Sequence, residues 1–123
     1  MNILFITDPT PLGGATNALI MLTKQLKAKG CNITVCGSGT PELKARLEDC
    51  GIKAVDTGHI PAMINRPRSA LKAVVKKLVF SSKRNIYNLP SAVKKAERAV
   101  DLSSIDIIYT NSARSDLGCL LAK

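Results

Sequence analysis

Aromatic residues are scarce in this chain: two Phe, two Tyr and no Trp among 123 residues. With only Phe5, Phe80, Tyr87 and Tyr109, it lacks the stacking platforms on which single-strand nucleic-acid modules hold successive bases. Histidine is scarcer still. The single His59 sits in a loop-like stretch away from cysteines and paired carboxylates, so neither a Ser/His/Asp arrangement nor a His-based metal centre has its parts. The four cysteines, Cys31, Cys36, Cys50 and Cys119, form no C-x-x-C pair and read as free thiols of a reducing compartment. No apolar run approaches the roughly 20 residues that cross a bilayer. Asn2 to Thr7 is apolar but short and has no basic leader, unlike a signal peptide. A cytoplasmic location and no metal are expected.

Acidic residues are also few, 9 Asp and Glu against 18 Lys and Arg, for a net charge of +9. The imbalance is local. Ten of the basic residues (Arg66, Arg68, Lys72, Lys76, Lys77, Lys83, Arg84, Lys94, Lys95 and Arg98) fall in one segment whose only acid is Glu97, whereas the rest of the chain is balanced. With 46% hydrophobic and 22% charged residues, residues 1–123 make one folded domain, a neutral scaffold carrying a basic helical segment over 66–98.

The hydrophobic pattern alternates between strand-like and helix-like. Asn2 to Thr7 reads as a strand buried on both faces. A helix follows from Ala15, with Leu19, Leu22 and Leu26 on its apolar face and Gly30 as its terminator. Asn32 to Cys36 is a second strand, and Pro41 opens a helix with Leu43 and Leu47 inward, stopped by Gly51. Ile52 to Asp56 is a third strand. Helices are expected from Ser69 to about Phe80 and from Leu89 to Val100, then a fourth strand, Asp106 to Thr110, and a last helix, Ala113 to Lys123, with Leu117, Leu120 and Leu121 inward. Right-handed crossovers turn this order into an α/β, Rossmann-like three-layer sandwich. Its mostly parallel sheet of about four strands, ordered 3-2-1-4, is expected to be incomplete at the C-terminus.

Open parallel sheets bind ligands at the carboxyl ends of their strands. There the sequence places Asp8, then Gly13-Gly14-Ala15-Thr16 at the start of the first helix, a connection suited to close approach by a phosphate or carboxylate. Neither G-x-G-x-x-G nor a Walker G-K-[ST] is present. Asn111 and Ser112 close the fourth strand at the same edge, either hydrogen-bonding a sugar or phosphate or capping the last helix. In the basic segment, Leu71, Val74, Val75, Leu78 and Val79 form an apolar stripe flanked by Lys72 and Lys76, with Phe80 outside it. The stripe is expected to cover the sheet. The charge surplus, Arg66, Arg68, Lys72, Lys76, Lys77, Lys83 and Arg84 with Phe80, instead suits an anionic surface such as a membrane leaflet.

Several stretches together resemble the amino-terminal half of family 4 glycosyltransferases of the GT-B fold: Met1-Asn-Ile-Leu-Phe-Ile-Thr-Asp8, Gly13-Gly14-Ala15, Leu26-Lys-Ala-Lys-Gly30, Ile33-Thr-Val35, Glu42-Leu-Lys with Leu47 and Gly51-Ile52, and Ile105-Asp-Ile-Ile-Tyr-Thr-Asn-Ser112 followed by Leu117-Gly-Cys-Leu-Leu-Ala-Lys123. The resemblance implies an acceptor-side domain, without a metal cofactor. Gly13 and Gly14 would approach the phosphates or transferred sugar of a nucleotide-sugar donor held by a second domain. The acceptor would be a cell-envelope glycan, polysaccharide or lipid-linked sugar, with the protein peripheral on the inner membrane face. The family's donor-gripping E-x7-E motif is absent from these residues, which implies that the polypeptide is inactive alone. Two other readings stay open, a nucleotide- or anion-binding module and a nucleic-acid-binding domain. The first lacks an acid at the end of the second strand, where Cys36-Gly37 stands. The second lacks aromatics.

Overall fold

The computed structural model describes residues 1–7, 13–37, 40–58, 74–75, 78–79, 88–110 and 115–122. Four strands, β1 (Asn2–Ile6), β2 (Asn32–Gly37), β3 (Lys53–Asp56) and β4 (Ile107–Thr110), form one sheet in the order β3-β2-β1-β4. All three pairings are parallel. The helices are α1 (Gly14–Ala28), α2 (Pro41–Asp49), α3 (Leu89–Ala99) and α4 (Ser115–Leu121), and a short 3-10 turn, Leu102–Ser104, precedes β4. The expected α/β, Rossmann-like arrangement is thus present, as an open sheet.

β1 lies at the centre, and its alternation divides the core. Ile3 and Phe5 join Leu19 and Ile20 of α1, Leu43 and Leu47 of α2, and Ile33, Val35 and Ile52 on one face. Leu4 and Ile6 join Cys36, Ala92 and Ala96 of α3, Val100, and Leu117 and Leu121 of α4 on the other. A strand buried on both sides is necessarily a continuous apolar run, which is how the chain opens. The helix layers change face where the chain reverses direction across the sheet. α1 and α2 carry it from β1 out to β3, and α3 returns it past β2 and β1 to β4, as right-handed crossovers require.

Two expectations about helix faces are corrected. On α1 the buried positions are Thr16, Leu19, Ile20 and Thr23, whereas Leu22 is 37% exposed. Thr23 can occupy the core because its hydroxyl donates to the carbonyls of Leu19 and Ile20, at 2.9 and 3.0 Å, so no polar group is left unsatisfied. On α4, Leu117 and Leu121 are buried and Leu120 is 37% exposed. The terminators behave as expected: Gly30 and Gly51 have φ of 83° and 65°, where a side chain would be strained.

The amino edge of the sheet is tied together by Asn2. Its backbone N–H donates to the Asp106 carboxylate at 2.7 Å, its side-chain amide donates to the Ser104 carbonyl at 2.7 Å, and its side-chain oxygen accepts from the Asn32 amide at 2.9 Å.

Candidate functional site

Because every strand is parallel, all four carboxyl ends meet at one edge: Ile6–Thr7 of β1, Gly37 of β2, Asp56 of β3 and Thr110 of β4. The order reverses between β1 and β4, since β1 leads away through α1 to β2 while β4 arrives from β3 on the other side. Such a switch point is where open α/β sheets place ligands.

α1 begins there. Gly13 is its N-cap, extended at φ −116° and ψ −174°, and contributes no side-chain cap. Gly14 opens the helix. A Cβ built on Gly14 meets nothing within 4 Å among the described residues, and its φ is not positive, so neither packing nor backbone strain demands a glycine. The positive end of the α1 dipole lies at these glycines. Gly13, Gly14 and Ala15 are exposed, whereas Thr16 is 2% exposed and belongs to the buried face of α1. The accessible part of the expected loop is therefore Gly13 to Ala15. Asp8, Asn111 and Ser112, expected at this edge, lie outside the described residues, as does His59.

A cavity of about 220 Å³ opens at the same edge, between α2 and the ends of β2 and β3. Val35, Leu43, Leu47 and Ala54 supply aliphatic walls, and Thr7, Lys44 and Asp56 supply polar groups. Gly37 and Asp56 are register partners across β2 and β3. One Asp56 carboxylate oxygen accepts the Gly58 N–H at 2.8 Å, which fixes the side chain over the turn that follows β3. Gly37 is required by close approach. A Cβ there would lie 2.6 Å from the Thr7 carbonyl oxygen. Sequence reasoning missed Thr7, Gly37, Lys44 and Asp56 as a group. The available signal was that each stands at or just beyond the end of an expected strand or at the start of the following helix.

A second depression, of about 560 Å³, lies along the outer side of β4 and is lined by Leu102, Ser103, Ile105, Asp106, Ile108, Leu121 and Ala122. Its polar side chains are Asp106, which accepts the Asn2 N–H, and Ser103, whose hydroxyl donates to Asp101. Among the described residues no cluster of three His, Cys, Asp or Glu side chains is placed to hold a metal ion. Cys36 is fully buried, and burial pushes its thiol from 9.0 up to about 11 against the opposing charge of Lys53; it is a poor nucleophile at neutral pH.

The expectation that the apolar stripe of the basic segment covers the sheet is corrected at the positions described. Val74, Val75, Leu78 and Val79 are helical and 55%, 54%, 64% and 55% exposed. They belong to neither core cluster, because α3 and α4 already fill one sheet face and α1 and α2 the other. Arg66, Arg68, Lys72, Lys76, Lys77, Phe80, Lys83 and Arg84 lie outside the described residues. No helix among the described residues is long and apolar enough to cross a membrane. No protein-family model matches the chain, and no curated protein matches it either.

Proposed function

We propose that this chain is the acceptor-binding half of a glycosyltransferase that moves a sugar from a nucleotide-sugar donor to a cell-envelope, polysaccharide or lipid-linked acceptor. The donor is gripped by a separate donor-binding domain, and the chain alone is inactive. The observation that carries the reading is the all-parallel 3-2-1-4 sheet with its switch point beside the glycine start of α1. Gly13 and Gly14 let a phosphate or transferred sugar approach the positive helix end, and the neighbouring carboxyl-edge groups face the acceptor. Titration calorimetry tests the division of labour: envelope glycan fragments bind the chain and a nucleotide-sugar alone does not. Tight binding of the nucleotide-sugar without glycan binding would replace this reading with a nucleotide-binding module.

The protein works as a peripheral protein on an anionic leaflet. The support is the helical quartet Val74, Val75, Leu78 and Val79, exposed within a segment of ten basic residues and one acid. Apolar side chains entering the headgroup region and cations nearby are the two components of interfacial binding, each Lys or Arg contributing about 1 kcal/mol. In co-sedimentation the chain pellets with vesicles containing phosphatidylserine and not with neutral ones. Reversing Lys72, Lys76 and Lys77 to Glu weakens pelleting by more than about 100-fold. Equal pelleting on both vesicle types, or indifference to the reversal, would sink the membrane reading.

A further inference from the structure

We propose that the cavity between α2 and the carboxyl ends of β2 and β3 holds one sugar ring by its vicinal diol, with Asp56 as the carboxylate that accepts the hydroxyls. It rests on the acceptor-side reading for the source of that ring, an acceptor pyranose; a nucleoside ribose presents the same chemistry. In dinucleotide-binding sheets the hydroxyl-accepting acid stands at the end of the second strand. Here that place is sterically closed. Any side chain on Gly37 would drive its Cβ to 2.6 Å from the Thr7 carbonyl oxygen and 2.8 Å from the Thr7 methyl. The register partner of Gly37 on the next strand is Asp56, so the carboxylate is carried one strand over and opens onto the same cavity.

The chemistry of the cavity selects a neutral donor. Lys44 shares the lining with Asp56, which disfavours a cationic ligand for the carboxylate. An ionised carboxylate has about four acceptor sites. The Gly58 N–H occupies one and orients the group, leaving capacity for two hydroxyls. Val35, Leu43, Leu47 and Ala54 offer aliphatic surface to the C–H face of a ring. Size sets the limit: about 220 Å³ lies below the roughly 300–1,000 Å³ of sites for drug-sized ligands, so the cavity takes one ring and not a dinucleotide.

The test is a titration of the isotope-labelled full chain, followed by amide NMR, with methyl glucoside, methyl mannoside, adenosine and uridine. The diol-free comparators are 2′-deoxyadenosine and tetrahydropyran-2-methanol. Shifts are expected at Gly37, Asp56 and Gly58, with the diol-free compounds about ten- to a hundred-fold weaker. Asp56→Asn weakens binding by the same factor. Its amide oxygen still accepts the Gly58 N–H, so the turn and the melting temperature persist. Asp49→Asn, at the far end of α2, leaves binding unchanged. A response to hexosides alone supports the site and its acceptor source. A response to nucleosides alone supports the diol site while counting against the acceptor-side reading. No saturable shift with any diol, or equal binding by Asp56→Asn, overturns the proposal.

Discussion

At the scale of single residues, the described structure holds one polar atom that works against stability. Thr57 is 2% exposed, and its hydroxyl has no hydrogen-bond partner, although its backbone N–H donates to Gly37. A buried hydroxyl without a partner costs about 1–3 kcal/mol. Thr57→Val keeps the shape and removes the cost, so it should raise stability by about 1 kcal/mol and the melting temperature by about 3–5 °C. A fall in the thermal midpoint would show that the hydroxyl has a partner in solution. Cys36 gives a second test. Its thiol ionises at about 11 in the folded protein and near 9.0 when burial is lost. The unfolded chain therefore releases a proton first, and stability is undiminished below pH 9 and lost as the pH rises through about 11. Denaturant titrations should show a fall of up to about 1.4 kcal/mol per pH unit between these values. Cys36→Val should remove that part of the slope. Asp56 and Gly37 are visible in the sequence, but their meeting depends on strand register, which no local pattern encodes.

At the scale of elements, the sequence was most legible where one pattern had one structural solution. β1 is a run of apolar residues because both its faces are covered, and α1 and α2 stop where Gly30 and Gly51 take positive φ. The phase of α1 was harder. Hydropathy favours Leu22, yet Thr23 takes the inward position because the helix's own carbonyls satisfy its hydroxyl. The stripe at Val74, Val75, Leu78 and Val79 has the period of a core helix and is exposed. Periodicity reports that a face is apolar, not what it faces. The α1 correction has a measurable consequence: Leu19→Ala should cost about 2–5 kcal/mol in chemical denaturation, while Leu22→Ala should cost less than about 1 kcal/mol. Similar losses at both positions would restore the phase that hydropathy suggests.

At the scale of the whole molecule, the two ends of the sheet divide the work. The amino edge is stitched by Asn2, which connects β1 to Ser104 and Asp106 ahead of β4 and to Asn32 of β2. The carboxyl edge keeps glycines, a cavity and a carboxylate oriented by one turn bond. The same separation explains why a +9 chain has a neutral scaffold: the sheet and its flanking helices require no charge surplus, and ten of its cations lie in one segment. If stability resides at one edge and ligand chemistry at the other, substitutions should separate the two properties. Asn2→Ala removes the side-chain bonds to Ser104 and Asn32; at about 0.5–1.5 kcal/mol each, and partly exposed, they should cost about 1–2 kcal/mol together. The response of Gly37 and Gly58 amides to a diol-bearing ring should change by less than about two-fold, because Asn2 is at the opposite end of β1. Asp56→Asn should do the reverse, weakening the response about ten- to a hundred-fold while shifting stability by no more than about 0.5 kcal/mol, as expected for an exposed side chain whose turn bond survives. Measuring both variants by urea denaturation and by the same NMR titration gives a two-by-two comparison. Loss of ligand response in Asn2→Ala at a urea concentration where the protein remains folded would mean that the two edges are coupled through β1.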